Sequence, residues 1–145
     1  MANQQNEEIA RRGFEVFNTG DFSYIDEITA EDAVNHDPAQ PEEGQGPEGF
    51  KQVVQMYRAA FPDLHITIEE MCSDGDLVCT RWVSEGTNDG ELMGMPPTGK
   101  RVTVTGISID KIKDGKVVES WNQWDNAGMM QQLGVGAEAA ATAAG

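Results

Sequence analysis

A chain of 145 residues, 39% apolar and 24% charged, suits one soluble globular domain, long enough for a real core and too short for a second one. Its formal charge of -15 repels phosphate backbones and anionic lipid, which argues against nucleic acid or a membrane as partner. No apolar run approaches the roughly 20 residues of a membrane span. The start, MANQQNEEIARRG, shows no hydrophobic signal core, so the expectation is a cytoplasmic protein.

Over residues 7–18, Ile9, Ala10, Gly13, Phe14, Val16 and Phe17 recur at helical spacing and Asn18-Thr19-Gly20 ends the run, which predicts an amphipathic helix. Phe22, Ile25 and Ile28 suggest a short second helical piece. It leads into Ala33-Val34-Asn35-His36-Asp37-Pro38, read as a short strand or extended loop because a residue before proline is pushed out of the helical region. After a polar loop over 42–46, Pro47 signals a helix start, and Phe50, Val53, Val54, Tyr57 and Phe61 mark one face of a helix ending before Pro62. Residues 64–68 alternate with period two, and a partner strand over 77–86 follows the turn Ser73-Asp74-Gly75-Asp76. Cys72 and Cys79 flank that turn. With Asp74-Gly75 at its centre, residue 79 lies diagonal to 72, about 7–8 Å away at Cα, a poor distance for a disulfide. Both cysteines are expected to be reduced thiols in the core.

Residues 88–100 form a connection too long for a tight turn, in which Leu92, Met93 and Met95 are oily enough to cap a cavity mouth. Residues 101–125 read as two long strands joined by Asp114-Gly115, a pair that tolerates positive φ at both centres of a type I′ turn. Val102 and Val104 fall on even numbers and Ile107 and Ile109 on odd ones, so the inward face is expected to change at Gly106 through a bulge. Such a bulge bends the sheet around a hollow. Residues 126–133 make a short helix stopped by Gly134, and the Ala/Gly-rich tail over 135–145 is expected to fray, leaving one domain over 1–134. This order of elements argues an α+β fold, a cone in which helices lie on one face of a curved antiparallel sheet.

Four segments, Phe61-Pro62-Asp63-Leu64, Gly94-Met95-Pro96-Pro97-Thr98-Gly99-Lys100, Asp114-Gly115-Lys116-Val117-Val118-Glu119-Ser120-Trp121 and Gln131-Gln132-Leu133-Gly134, resemble the SnoaL-like polyketide cyclases in sequence and in order. The likeness covers about residues 7–134. The resemblance implies the nuclear-transport-factor-two-like cone with an internal apolar cavity, a small apolar or polyketide-like partner, and a homodimer or dimer of dimers. It also implies ring closure of a polyketide by intramolecular aldol condensation without metal or organic cofactor. Carbonyls beside the reacting carbon delocalise the enolate, so the protein supplies a base, a polar partner for the enolate oxygen and a folding template. Isomerisation, epoxide hydrolysis, or noncatalytic holding of a small hydrophobic ligand are the alternatives, because fold alone does not settle chemistry.

In the resembled cyclases an acid/base aspartate stands where this chain has Asn122, and a histidine often stands at the place of Asn88; an amide cannot take a proton from carbon near neutral pH. By subtraction His36 becomes the first candidate for proton transfer, since histidine titrates near neutrality. Asn122 is read either as a donor to a substrate oxygen or as a cross-strand bond, and Asp125 either as a base or as the N-cap of the helix after it. Asn122 shares strand parity with Val118, Ser120 and Trp124, so the resemblance implies that these four line the cavity wall, where Asn35, Asn88, Met93 and Met95 are expected to join them. Epoxide hydrolysis would need polar groups that position and activate a water, to which Asn35, Asn122 and Asp125 could contribute only if they converge. Two scattered histidines give no compact metal-ligand set. Val117 and Trp121 share the opposite face, an apolar stripe expected to carry a symmetric dimer contact.

Overall fold

The computed structural model describes residues 1–38 and 46–134. Along the chain it places α1 (Gln4–Thr19), α2 (Ile25–Ile28), β1 (Thr29–His36), α3 (Gly46–Ala60), β2 (His65–Asp74), β3 (Leu77–Thr87), β4 (Arg101–Lys113), β5 (Lys116–Trp124) and α4 (Asn126–Leu133). The tail over 135–145 and most of the polar loop over 42–46 lie outside the described residues. The five strands form one sheet in the order β1-β5-β4-β3-β2. β1 runs parallel to β5, and every other neighbouring pair is antiparallel, so the sheet is mixed. Among the described residues no helix is long and apolar enough to cross a membrane.

Local chemistry sets the element ends. Asn3 caps α1 by accepting from the Asn6 amide, and Gly20, at φ 71°, closes it in the left-handed region. Asp114 at φ 53° and Gly115 at φ 79° form the turn between β4 and β5 with both central residues at positive φ, as a type I′ turn requires. The apolar stripes of α1 and α3 meet through Val16 and Val54, packed with Ile25, and a larger cluster joins Phe61, Trp82, Val102, Val104, Met129 and Leu133 beneath α4.

Three expectations from sequence are corrected here. Gly106 is not a bulge: β3 and β4 pair without interruption from Leu77↔Lys111 to Thr87↔Arg101, and Val102, Val104, Gly106 and Ser108 are all buried on one face. Glycine stands at 106 because the Trp82 indole lies on it; a Cβ there would meet Trp82 Cζ2 at 2.3 Å. Ile107 and Ile109 therefore point outward.

The bulge lies instead on β5. Lys111 pairs with Glu119 and Ile112 with Val117, so Val118 is the extra residue and strand parity changes there. Val117 consequently turns inward, onto Ala10, Val78 and Ile112, and Val118 is not the cavity residue that simple alternation predicts.

In the β2–β3 hairpin Asp74 pairs with Leu77, which centres the turn on Gly75-Asp76 and sets Cys72 directly opposite Cys79. Both are free thiols, Cys72 exposed and Cys79 half-buried, so neither is a core residue.

Candidate functional site

Between α1, α3 and the inner face of the sheet lies a cavity of about 220 Å³. The helices line it with apolar groups, among them Phe14, Phe17, Phe50 and Val53, while β1, β4 and β5 bring Asn35, Ser108, Asp110, Ser120, Asn122 and Trp124 to the opposite wall. A mostly apolar hollow with a few convergent polar groups is the usual form of a small-molecule site.

Asp110 is the group that sequence reasoning missed. The unbroken even parity of β4 that buries Val102 and Val104 carries Asp110 to the same inner face, two residues beyond Ser108. Its exposure is to the cavity, and burial pushes its carboxyl up from 3.8 to about 6, against the opposing effect of a hydrogen bond from Ser120. That bond crosses the β4–β5 pair, with Ser120 Oγ donating to Asp110 Oδ1 at 2.6 Å.

One layer along the same strands the polar groups satisfy each other. Trp82 Nε1 donates to Ser108 Oγ at 3.0 Å, and Ser108 Oγ donates to Asn122 Oδ1 at 2.6 Å. The His36 backbone carbonyl can only accept, which turns the Asn122 NH₂ toward β1 and its Oδ1 toward Ser108. There Nδ2 donates to Asn35 Oδ1 at 2.6 Å and reaches the His36 carbonyl at 3.4 Å. Asn122 thus faces the cavity with its amide engaged as a cross-strand tie among β4, β5 and β1.

At the end of β5, Trp124 Nε1 donates to both carboxylate oxygens of Asp37, at 3.1 and 3.3 Å, and the indole meets the Tyr57 ring edge-on with centroids 6.3 Å apart. Asp37 and Tyr57 both line the cavity. Tyr57 Oη has no hydrogen-bond partner among the described residues, and burial, with Asp37 nearby, holds the phenol well above its ordinary range. It stays a neutral donor at any physiological pH.

Of the residues named from sequence, Asn35, Ser120, Asn122 and Trp124 reach the cavity, and His36, Asp125, Asn88, Met93 and Met95 do not. His36 lies on the outer face of the sheet, because period two along β1 sends Asn35 inward and its neighbour outward. Its ring stacks on Trp121 at 5.6 Å and its Nε2 sits 2.7 Å from Glu119 Oε2. Asp125 caps α4, accepting from the Gly128 amide at 2.9 Å, and Gly128 leaves room for that carboxylate where a Cβ would meet it at 2.1 Å. Asn35 and Asn122 therefore converge without Asp125, so the three do not meet as a group that could activate a water.

Asn88 is a bracket for the loop between β3 and β4. Its Nδ2 donates to the Gly90 carbonyl at 2.9 Å and its Oδ1 accepts from Thr98 N at 2.9 Å and Thr98 Oγ1 at 3.0 Å. Met95 packs against the Phe61–Trp82 cluster and Met93 points to solvent, so this loop's buried apolar side chain, Leu92, serves the core. Among the described residues no three His, Cys, Asp or Glu side chains come together as a metal site.

Comparison with known proteins gives the family. The family described as SnoaL-like polyketide cyclase matches residues 7–133. Nogalonic acid methyl ester cyclase of Streptomyces nogalater is 36% identical over 124 residues, covering 81% of this chain and 89% of that protein. Aklanonic acid methyl ester cyclase DnrD of Streptomyces peucetius is 31% identical over 134 residues, 88% of this chain and 89% of its own. Among solved structures, wild-type IdmH of Streptomyces antibioticus superposes with a TM-score of 0.75 at 38% identity, covering 90% of this chain and 99% of that one. TsrD of Streptomyces laurentii shares the fold with a TM-score of 0.83 at 24% identity, over 93% of this chain and 98% of its own.

Proposed function

Because the chain belongs to the SnoaL-like polyketide cyclase family, we propose that it closes a ring in a carbonyl-rich polyketide ester by intramolecular aldol condensation, with Asp110 as the proton-transfer group. The observation that carries this reading is the Asp110 carboxylate, held in a mostly apolar cavity with its pKa raised to about 6. Near neutral pH such a group is largely ionised, yet it holds a proton more strongly than an ordinary aspartate, which suits it to take a proton and give it back.

In the proposed sequence the Asp110 carboxylate removes a proton from a carbon flanked by carbonyls. The enolate carbon then bonds to a carbonyl carbon elsewhere in the same molecule, the C=O π pair moves to oxygen, and the new alkoxide takes the proton back from Asp110. Ser120 steadies the carboxylate, and Tyr57, with its phenolic O–H unpartnered among the described residues, donates to an oxygen on which charge develops. The aromatic and aliphatic side chains of α1 and α3 fold the rest of the substrate into reach.

The test is turnover of nogalonic acid methyl ester and aklanonic acid methyl ester by the wild type and by Asp110→Asn. The variant is expected to lose about 10²–10⁴-fold in turnover, the usual contribution of a positioned acid or base, and to keep binding, read from tryptophan fluorescence. Undiminished turnover by Asp110→Asn would overturn the assignment. Saturable binding of either ester with no turnover by the wild type would replace the enzyme reading with that of a ligand-binding module.

A further inference from the structure

The register of the β2–β3 hairpin puts two thiols in a relationship that the cavity chemistry does not use. Cys72 and Cys79 are direct cross-strand partners, set between the turn at Gly75-Asp76 and the β2 irregularity at Ile68/Glu70. Directly opposed residues of an antiparallel pair have Cα atoms about 4.5 Å or 5.5 Å apart, according to whether the pair is hydrogen-bonded. Both distances fall within the range of about 4.4–6.8 Å that a disulfide spans. As direct partners in the ladder, the two side chains leave the sheet on the same face.

We propose that Cys72 and Cys79 form an oxidant-accessible dithiol site that closes into an intramolecular disulfide across the β2–β3 hairpin, taking peroxides or low-molecular-weight disulfides as oxidants. The two positions divide the labour by exposure. Cys72 is open to solvent and meets the oxidant; Cys79 is half-buried and waits beside it. Burial first, then the neighbouring Cys72, pushes the Cys79 thiol up, which disfavours its thiolate and makes it a slow first responder.

With a peroxide, the Cys72 thiolate attacks one peroxide oxygen, the O–O bond breaks and the departing oxygen leaves as water after protonation. The resulting Cys72 sulfenic acid is then attacked by the Cys79 sulfur: the S–S bond forms, the S–O bond breaks, and a second water carries away the hydroxyl and the Cys79 proton. Two thiols are oxidised to one disulfide and one peroxide is reduced to two waters. With a low-molecular-weight disulfide the Cys72 thiolate attacks one of its sulfurs, the small S–S bond breaks and one small thiol leaves; Cys79 then attacks the Cys72 sulfur of the mixed disulfide and expels the second small thiol.

Nothing large has to move for this closure. Ser73 and Gly75, on the same hairpin end, are tied to the start of α1: Asn3 N donates to Ser73 Oγ at 2.6 Å, Ser73 Oγ donates to Glu7 Oε2 at 2.6 Å, and Asn6 Nδ2 donates to the Gly75 carbonyl at 3.2 Å. These bonds hold the turn in place on one side of the pair, and the uninterrupted β3–β4 ladder holds Cys79 on the other.

The experiment is titration of the full-length wild-type chain with hydrogen peroxide and, separately, with hydroxyethyl disulfide, followed by thiol counting, intact mass and non-reducing electrophoresis. The expected result is loss of both thiols together, a mass lower by about 2 Da, migration as a single chain, and full reversal by dithiothreitol. Cys79→Ser is expected to stop at a sulfenic or sulfinic adduct, or at a stable mixed disulfide, on Cys72. Cys72→Ser is expected to react at least tenfold more slowly than wild type. The proposal is overturned if folded wild type gains oxygen adducts, retains the mixed disulfide, or cross-links between chains instead of closing on itself.

Discussion

Ser120 Oγ donates to Asp110 Oδ1 at 2.6 Å across the β4–β5 pair, so this hydrogen bond favours the charged form of the carboxylate while burial favours the neutral one. The value of about 6 is the outcome of that opposition, with burial the larger cause. Removing the bond by Ser120→Ala leaves burial alone. A hydrogen bond to a charged acceptor is worth about 1.5 kcal/mol, so the acid limb of the kcat/KM profile is expected to move to higher pH by roughly one unit. A pH–rate series on both proteins checks this; an unmoved limb would detach Asp110 from the profile.

The same carboxylate bears on stability, with the opposite sign from a salt-bridged aspartate. Its folded-state pKa of about 6 lies above the ordinary 3.8, so the folded chain binds the proton more tightly than the unfolded one between those values. That contribution is fully present below pH 3.8 and is lost as pH rises through about 6. By linkage the loss is on the order of 3 kcal/mol. Asp110→Asn, which cannot ionise, is expected to melt higher than wild type at pH 8, with the gap closing as pH falls below the folded pKa. Thermal unfolding of both proteins from pH 4 to pH 8 measures it, and a pH-independent gap would mean that Asp110 is not held in an ion-hostile cavity.

How far the site could be read from sequence turned on one residue. Helical spacing, the Gly-containing turns and the four resembling segments are enough for the α+β architecture, because these are local signals, whereas the exact centre of the β2–β3 turn and the parallel pairing of β1 with β5 are not. Asp110 was hidden by a false reading of Gly106. Apolar residues on both parities of β4 suggested a face change, which would have turned Asp110 outward, whereas Ile107 and Ile109 are apolar on the outer face without any break in the ladder. The glycine answers to Trp82, a contact 24 residues away in sequence that no local pattern encodes. His36 was favoured for its chemistry while the period-two rule, applied to Asn35 and Asp37 beside it, already sends those two inward.

Gly106→Ala tests the close approach directly. The added methyl has no space beside the Trp82 indole, and moving that ring breaks the bond from its Nε1 to Ser108 and with it the tie to Asn122. Overpacking of a well-filled core costs about 1–3 kcal/mol. The unfolding free energy from a denaturant titration is expected to drop by that amount, with a lower midpoint and a shift in tryptophan emission. An unchanged midpoint would show that the indole moves aside freely.

The outer face of the sheet carries the last prediction. Val117 does not belong to it, since the β5 bulge turns that residue inward, but Ile109 and Trp121 are direct cross-strand partners there and stand 38% and 37% exposed, beside Ile107 at 49%. His36 extends this patch by stacking on Trp121. Apolar side chains side by side on a broad sheet face are characteristic of a contact between copies, and self-complementary packing of such a face gives a two-fold dimer. The wild type is therefore expected to sediment as a dimer at micromolar concentration. Ile109→Arg would place a guanidinium at the centre of the contact while leaving each chain's cavity untouched, so it is expected to yield a folded monomer with unchanged circular dichroism. His36→Ala lies at the patch margin, away from the cavity; it is expected to weaken the dimer modestly and to leave turnover within about twofold, in contrast to the roughly 10²–10⁴-fold loss expected at Asp110. A wild type that sediments only as monomer would remove the dimer. A large turnover loss in His36→Ala with the dimer intact would return the proton-transfer role to the outer face.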